Sequence, residues 1–156
     1  YKTLDDYLEV KPQEFEKMIK SSGFYRSKTK NILASARIIQ EDWRGEVPNT
    51  MQELLKLPGV ARKTANVVLA EGFKKVEGIT VDTHVIRFVH RYDLSNHKNP
   101  VKIEKDLMEL LPKKEWRHFT HRVIHYGRYL APARSYDTKK DPLVKIYPKA
   151  AKSFRV

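Results

Sequence analysis

Leu57-Pro58-Gly59-Val60-Ala61-Arg62-Lys63-Thr64-Ala65 is the stretch on which the fold turns. Pro58 and Gly59 stop one helix, because proline has no N–H for the ladder and glycine accepts backbone angles closed to other residues. Residues 63–70 are good helix formers, so the run reads as helix, hairpin, helix. Backbone N–H groups at such a turn and at the start of the second helix are unpaired and point outward, a phosphate site that needs no side-chain charge. Asp82, in Val81-Asp82-Thr83-His84, follows Lys63 by nineteen positions. The stretch thus joins a phosphate-gripping hairpin to an amine and a carboxylate able to attack a sugar.

Outward from the hairpin, strand-like alternation is scarce and no repeat is visible, so the chain reads as all-α. Pro12 opens a helix carrying Phe15, Met18 and Ile19, and Gly23 ends it. Ser27 is the expected cap of the next, whose apolar Ile32, Leu33, Ala36 and Ile39 recur at helical spacing until Gly45. Thr50 caps a short helix running through Leu54 and Leu55 into the hairpin. Val67, Val68 and Leu69 give the helix after the hairpin nearly continuous apolar surface, which predicts a central place in the core. Gly72 and Gly78 bracket a loop, and Asp82 opens a helix through Val85, Ile86 and Val89. A break over 96–100 precedes a helix with Ile103, Leu107, Leu110 and Leu111, closed by Pro112. The last clear helix spans about 116–129, with Phe119, Val123 and Tyr126 on related faces. From Leu130 onward Pro132, Asp137, Pro142 and Pro148 punctuate a basic, tyrosine-bearing tail, expected to be irregular. The division drawn is a helical domain over 1–129 and a C-terminal extension over 130–156.

A chain of 156 residues buries one sizeable core, and a single compact unit is the default. Lys and Arg number 31 against 19 acidic residues, for a formal charge of +12, which favours a polyanionic partner over a merely soluble basic protein. The absence of cysteine excludes disulfides, thiolate zinc sites and cysteine-ligated iron–sulfur clusters. No apolar run approaches the roughly 20 residues of a membrane span, and the N-terminus lacks a signal-peptide pattern, so a soluble intracellular protein with no membrane partner is expected. Tyr1 is not an initiator methionine, which predicts a processed chain or a piece of a longer one.

A nucleophile for a sugar carbon must be a neutral amine, and burial near a helix N-terminus would disfavour the ammonium form of Lys63. Attack expels the base and leaves a Schiff base, which acidifies the neighbouring sugar proton and opens β-elimination. The competing reading is that Lys63 meets a phosphate beside the hairpin. Asp82 likewise reads two ways, as a plain N-cap or as a carboxylate that takes the proton from Lys63 and stabilises charge on the sugar. A capping aspartate is held rigidly, so the two are compatible. Gly59 with the Val60 and Ala61 amides would grip phosphate, Arg62 adds charge, and Lys28 and Lys30 either contact phosphate or line a solvated face. His118, His121 and His125 share a helix, but no cysteine or acidic residue completes a metal set and none is expected. Tyr126, Tyr129 and Tyr136 could stack on bases, with core filling the default for the first two.

These residues resemble the helix-hairpin-helix DNA glycosylases, most closely the endonuclease III branch, whose hairpin reads much as 57–65 does and whose aspartate sits in a Val-Asp-Thr-His run. The likeness extends upstream through Gly23-Phe24-Tyr25-Arg26-Ser27-Lys28 and Gly45-Glu46-Val47-Pro48, and downstream to His125-Tyr126-Gly127-Arg128-Tyr129, covering roughly 1–134. The resemblance implies part of the family's helical barrel. It implies a base-excision-repair glycosylase with abasic-site lyase activity on oxidised pyrimidines in damaged double-stranded DNA. The setting would be the cytoplasm and nucleoid, or the nucleus or an organelle of a eukaryote. It makes Lys63 the nucleophile and Asp82 its essential partner, puts Leu57, Gly59, Val60, Ala61, Arg62 and Lys28 at the DNA, and calls for no cofactor. Rival readings are an abasic-site lyase alone and a non-catalytic DNA-binding module. Three departures stand out. Ala61 occupies a hairpin position often held by glycine. The four-cysteine iron–sulfur loop of many relatives is replaced by Leu130-Ala131-Pro132-Ala133-Arg134, so the extension is expected to dock by packing Leu130, Leu143, Ile146 and Tyr147, with Lys139, Lys140, Lys145 and Lys149 toward phosphate. Relatives also carry further helices ahead of the segment matching Tyr1, including a loop that wedges into DNA, which implies a fragment or a second chain completing the barrel.

Overall fold

The computed structural model describes residues 1–133 and 137–151, so Arg134 and Tyr136 lie outside the described residues. Among the described residues every regular element is helical: α1 Leu4–Glu9, α2 Pro12–Ile19, α3 Tyr25–Trp43, α4 Met51–Leu54, α5 Arg62–Val67, α6 Thr83–Arg91, α7 Pro100–Leu110, α8 Trp116–Tyr129 and α9 Pro142–Ile146. They group into two compact units, Tyr1–Ala65 and Asn66–Val156, a division that falls inside α5 and that the sequence reading did not draw. None of the described helices is long and apolar enough to cross a membrane.

In the first unit α3 is the spine, contacted by α1 and α2. Leu33, Ala36 and Ile39 recur at three-residue steps and are buried, the one-sided stripe that a helix periodicity of 3.6 demands. Phe15 is the buried residue of α2, and its ring meets Tyr1 and Tyr7 edge-on at 5.4 and 5.9 Å. Met18 is 63% exposed, so the α2 stripe is narrower than the sequence suggests. Thr50 caps α4 as expected, accepting from Glu53 N at 3.3 Å. Ser27 does not cap α3, because Gly23 at φ 66° and Phe24 at φ 48° have already turned the chain, and the helix begins at Tyr25.

The core of the second unit is Ile79, Val81, Val85, Val89, Ile103, Leu107 and Val123, drawn from α6, α7, α8 and the segment entering α6. Asn99 caps α7, accepting from Val101 N at 2.8 Å, with Pro100 at the first helical position where its missing N–H costs nothing. The helix after the hairpin is less central than its apolar run implies. Its ladder widens into a π turn over Val68–Gly72, burying Leu69 and leaving Val67 42% exposed.

The C-terminal extension is more regular than expected. Short 3-10 turns over Thr138–Lys140 and Pro148–Ala151 flank α9. Two buried or paired carboxylates, among other contacts, tie it down. Asp141 is 1% exposed, caps α9 by accepting from Leu143 N at 2.9 Å, and accepts from Tyr92 Oη at 3.2 Å and from Tyr126 Oη. Asp93 accepts from Tyr147 Oη at 2.5 Å and from Lys149 Nζ. Leu130 is 48% and Ile146 80% exposed, so those two do not supply the expected apolar docking; Ala131 and Ala150 are fully buried instead. A single-turn helix presents one narrow face, and here hydrogen-bonded carboxylates occupy the attachment points. Tyr129, expected in the core, is 75% exposed, whereas Tyr126 turns inward to Asp141.

Candidate active site and nucleic-acid interface

Residues 57–60 form a tight turn closed by Val60 N donating to Leu57 O at 3.1 Å. Pro58 at its second position and Gly59 at its third, with φ 75°, meet the requirements of a type II turn. From α3, Ser35 Oγ donates to Pro58 O at 3.2 Å, and Asn31 lies so close that a Cβ on Gly59 would stand 2.5 Å from its Nδ2. Glycine is therefore required twice, by the backbone angle and by the neighbour. The Val60 N–H is used within the turn. Among the described residues the Gly59 and Ala61 N–H groups remain without a partner inside the protein. Leu57 is 5% exposed, its carbonyl closes the turn, and it supports the hairpin from within.

Lys63 is the second residue of α5 and Arg62, half-buried, the first. The expected burial of Lys63 is not found: it is exposed, because the buried positions of the helix are Ala65 and Asn66. Lys28 donates to Ser22 O at 2.7 Å and so fastens the turn through Gly23 and Phe24.

Asp82 is the N-cap of α6, its Oδ1 accepting from His84 N and Val85 N at 2.9 Å each. Both cap bonds use one oxygen, and Oδ2 stands outside them. Arg87, on the same helix, donates to Ala131 O at 3.2 Å. Burial lowers the Arg87 pKa most, the Arg91 guanidinium adds to that, and the negative charge of Asp82 works the other way.

Phe24 is a residue that sequence reasoning passed over. It is 90% exposed in the left-handed region, a conformation rarely adopted by a bulky side chain. The signal was available in principle, as an aromatic directly after a glycine and outside any apolar stripe. Among the described residues no group of three His, Cys, Asp or Glu is placed to hold a metal ion. His121 instead lies 3.4 Å from Glu71, whose carboxylate Arg117 grips at 2.9 and 2.7 Å. That Arg117 fork, ahead of its own burial cost and of His121, holds the Glu71 carboxyl below the usual range.

A glycine-led hairpin, a lysine in the helical turn that follows it and an aspartate heading a later helix are the marks of a DNA-repair fold. The model of the HhH-GPD superfamily base excision DNA repair protein matches residues 1–113, and the chain belongs to that family. It is similar to endonuclease III of Synechocystis sp., with 52% identity over 122 residues, 78% of this chain and 56% of the relative, so it spans just over half of that protein. A non-covalent endonuclease III–DNA complex matches with a TM-score of 0.89 at 40% identity, over 96% of this chain and 70% of that one. A trapped endonuclease III–DNA covalent intermediate, an estranged-adenine complex, matches at 0.87 and 42%, over 93% and 68%.

Proposed function

We propose that the chain is a DNA glycosylase with associated abasic-site lyase activity, acting on oxidised pyrimidines in damaged double-stranded DNA. The observation that carries this reading is an exposed Lys63 in the turn directly after the hairpin, together with an Asp82 carboxylate rigidly capped through one oxygen only. The likeness to a trapped covalent intermediate supports the amine as nucleophile.

The Lys63 amine, as the free base, forms a bond to the sugar carbon that bears the damaged base. The base departs with the electron pair of the glycosidic bond. Asp82 takes the proton lost by the amine and stabilises positive charge on the sugar as the bond breaks. The sugar ring opens to an imine, a proton leaves the adjacent carbon, and the phosphate at the next carbon is eliminated. Water then releases Lys63. The Gly59 and Ala61 amides and Arg62 hold backbone phosphate, while Phe24 offers a ring to stack where the target nucleotide has left the helix. Residues 1–129 carry this chemistry, and the extension from 130 serves by packing. Action on DNA sets the protein inside the cell, at the chromosome.

Borohydride trapping tests the assignment. Lys63→Gln should abolish the trapped complex on duplex containing an oxidised pyrimidine, yet keep salt-sensitive DNA affinity within about threefold, because the hairpin and the other cations remain. Undiminished trapping moves the nucleophile elsewhere. Trapping by the unaltered chain on abasic DNA alone reduces the activity to that of a lyase, and binding without trapping reduces it to a DNA-binding module.

A further inference from the structure

Asp82 is delivered by a short extended segment whose placement its own cap does not determine. Ile79 and Val81 bury their side chains at 0 and 6% exposure, and two side chains hold the carbonyls between them. Thr120 Oγ1 of α8 donates to Thr80 O at 3.1 Å, and Asn66 Nδ2 of α5 donates to Ile79 O at 3.4 Å. The same Asn66 amide donates to Glu104 Oε1 of α7 at 2.8 Å, and both residues are 3% exposed. The backbone at Gly78 rests directly on this pair: a Cβ there would overlap Glu104 Oε1 and come 2.9 Å from Asn66 Oδ1.

The amide has one workable orientation. Turned over, its oxygen would face two acceptors, so the NH2 must point to Glu104 and Ile79, and Oδ1 is left without a hydrogen-bond partner. Burying an amide with an unpaired oxygen beside a carboxylate costs stability, and apolar residues of similar volume often serve a core as well or better. Packing alone therefore gives no reason for the pair, whereas seating a defined backbone atom does.

We infer that Asn66 is a positioning residue for the reaction, setting the Ile79 carbonyl three residues before Asp82, with Glu104 fixing the amide that does so. Asn66 stands one helical turn after Lys63 on α5, so the helix that bears the nucleophile also bears the group that seats the approach to its partner. The inference rests on the role of Asp82 proposed above.

The test is single-turnover base release by the full chain, scored per folded molecule. Asn66→Ala should slow release about 10- to 100-fold, the effect of an ångström-scale misplacement, with DNA affinity within about threefold. In an Asp82→Asn background the same change should slow release less than about threefold, because the group being positioned has lost its charge. Asn66→Ser, too short to reach Ile79 or Glu104, replaces the alanine variant if that one does not fold. Equal slowing in both backgrounds, or no slowing by either Asn66 variant, overturns the inference and leaves the proposed activity standing. Absence of trapping by the unaltered chain overturns both.

Discussion

Replacing Gly59 by alanine separates the two demands that the hairpin makes on that position. At φ 75° the new Cβ crowds the following carbonyl, a cost of roughly 1–2 kcal/mol. The Cβ would also stand 2.5, 2.9 and 3.0 Å from Nδ2, Cγ and Cβ of Asn31. Rotating Asn31 clears the first two atoms but not the third, which is fixed to α3, so the turn or the helix must move at an overpacking cost of about 1–3 kcal/mol. The sum is a loss of about 2–5 kcal/mol, with weaker DNA binding as the Gly59 and Ala61 amides lose their alignment. Urea unfolding of four proteins measures the parts: unaltered, Gly59→Ala, Asn31→Gly and both. Asn31→Gly removes all three atoms, so in that background Gly59→Ala should cost only about 1–2 kcal/mol. Equal costs in both backgrounds would show that the close approach of α3 does not matter, and a loss below about 0.5 kcal/mol would refute the turn geometry as well.

Asp82→Asn keeps an oxygen for the two cap bonds and removes the charge, so base release should fall about 10²- to 10⁴-fold with little change in Tm; a collapsed Tm with normal turnover per folded molecule would leave capping as its whole role. Phe24→Ala should leave stability unchanged, since the ring is 90% exposed, but slow base release about 5- to 150-fold through a lost stacking contact; an unaltered rate removes Phe24 from the interface. The tie of the extension to Asp93 should depend on pH. Lys149, then Tyr147, hold the Asp93 carboxyl below its usual range, so the tie is fully present above the ordinary carboxylate pKa and is lost as pH falls through the lowered one. Hydrogen-exchange protection over 142–151, taken relative to the intrinsic exchange rate at each pH, should fall on acidification in the unaltered protein, and in Asp93→Asn it should be low already at neutral pH; high protection in the variant would mean that Asp141 holds the segment alone.

Much of the site was legible in the residues because its devices are short-ranged. A proline followed by glycine makes its turn wherever it stands, Asp82 reaches amides two and three residues on, and Asn99 caps the helix that starts beside it. The same locality misled elsewhere. Ser27 had the chemistry of a cap, but the two residues of positive φ before it had already set the helix start. Val67 had the right neighbours for a core helix, but it faces away from the buried Ala65 and Leu69 and is exposed. The extension looked irregular because its order comes from Asp141, reached by tyrosines 15 and 49 positions earlier in the chain.

Helical content, the hairpin and the cap at Asp82 could be read from the residues, since each follows from backbone preferences acting over a few positions. Long-range packing is what brings Asn31 against Gly59, leaves Lys63 exposed and sets Asn66 beside Glu104 across 38 positions. A helical stripe says which face of a helix is covered but not which helix covers it. A buried amide and a buried carboxylate carry no mark in the sequence that pairs them; the pairing arises when packing brings their helices together and each is left needing the other to replace lost water.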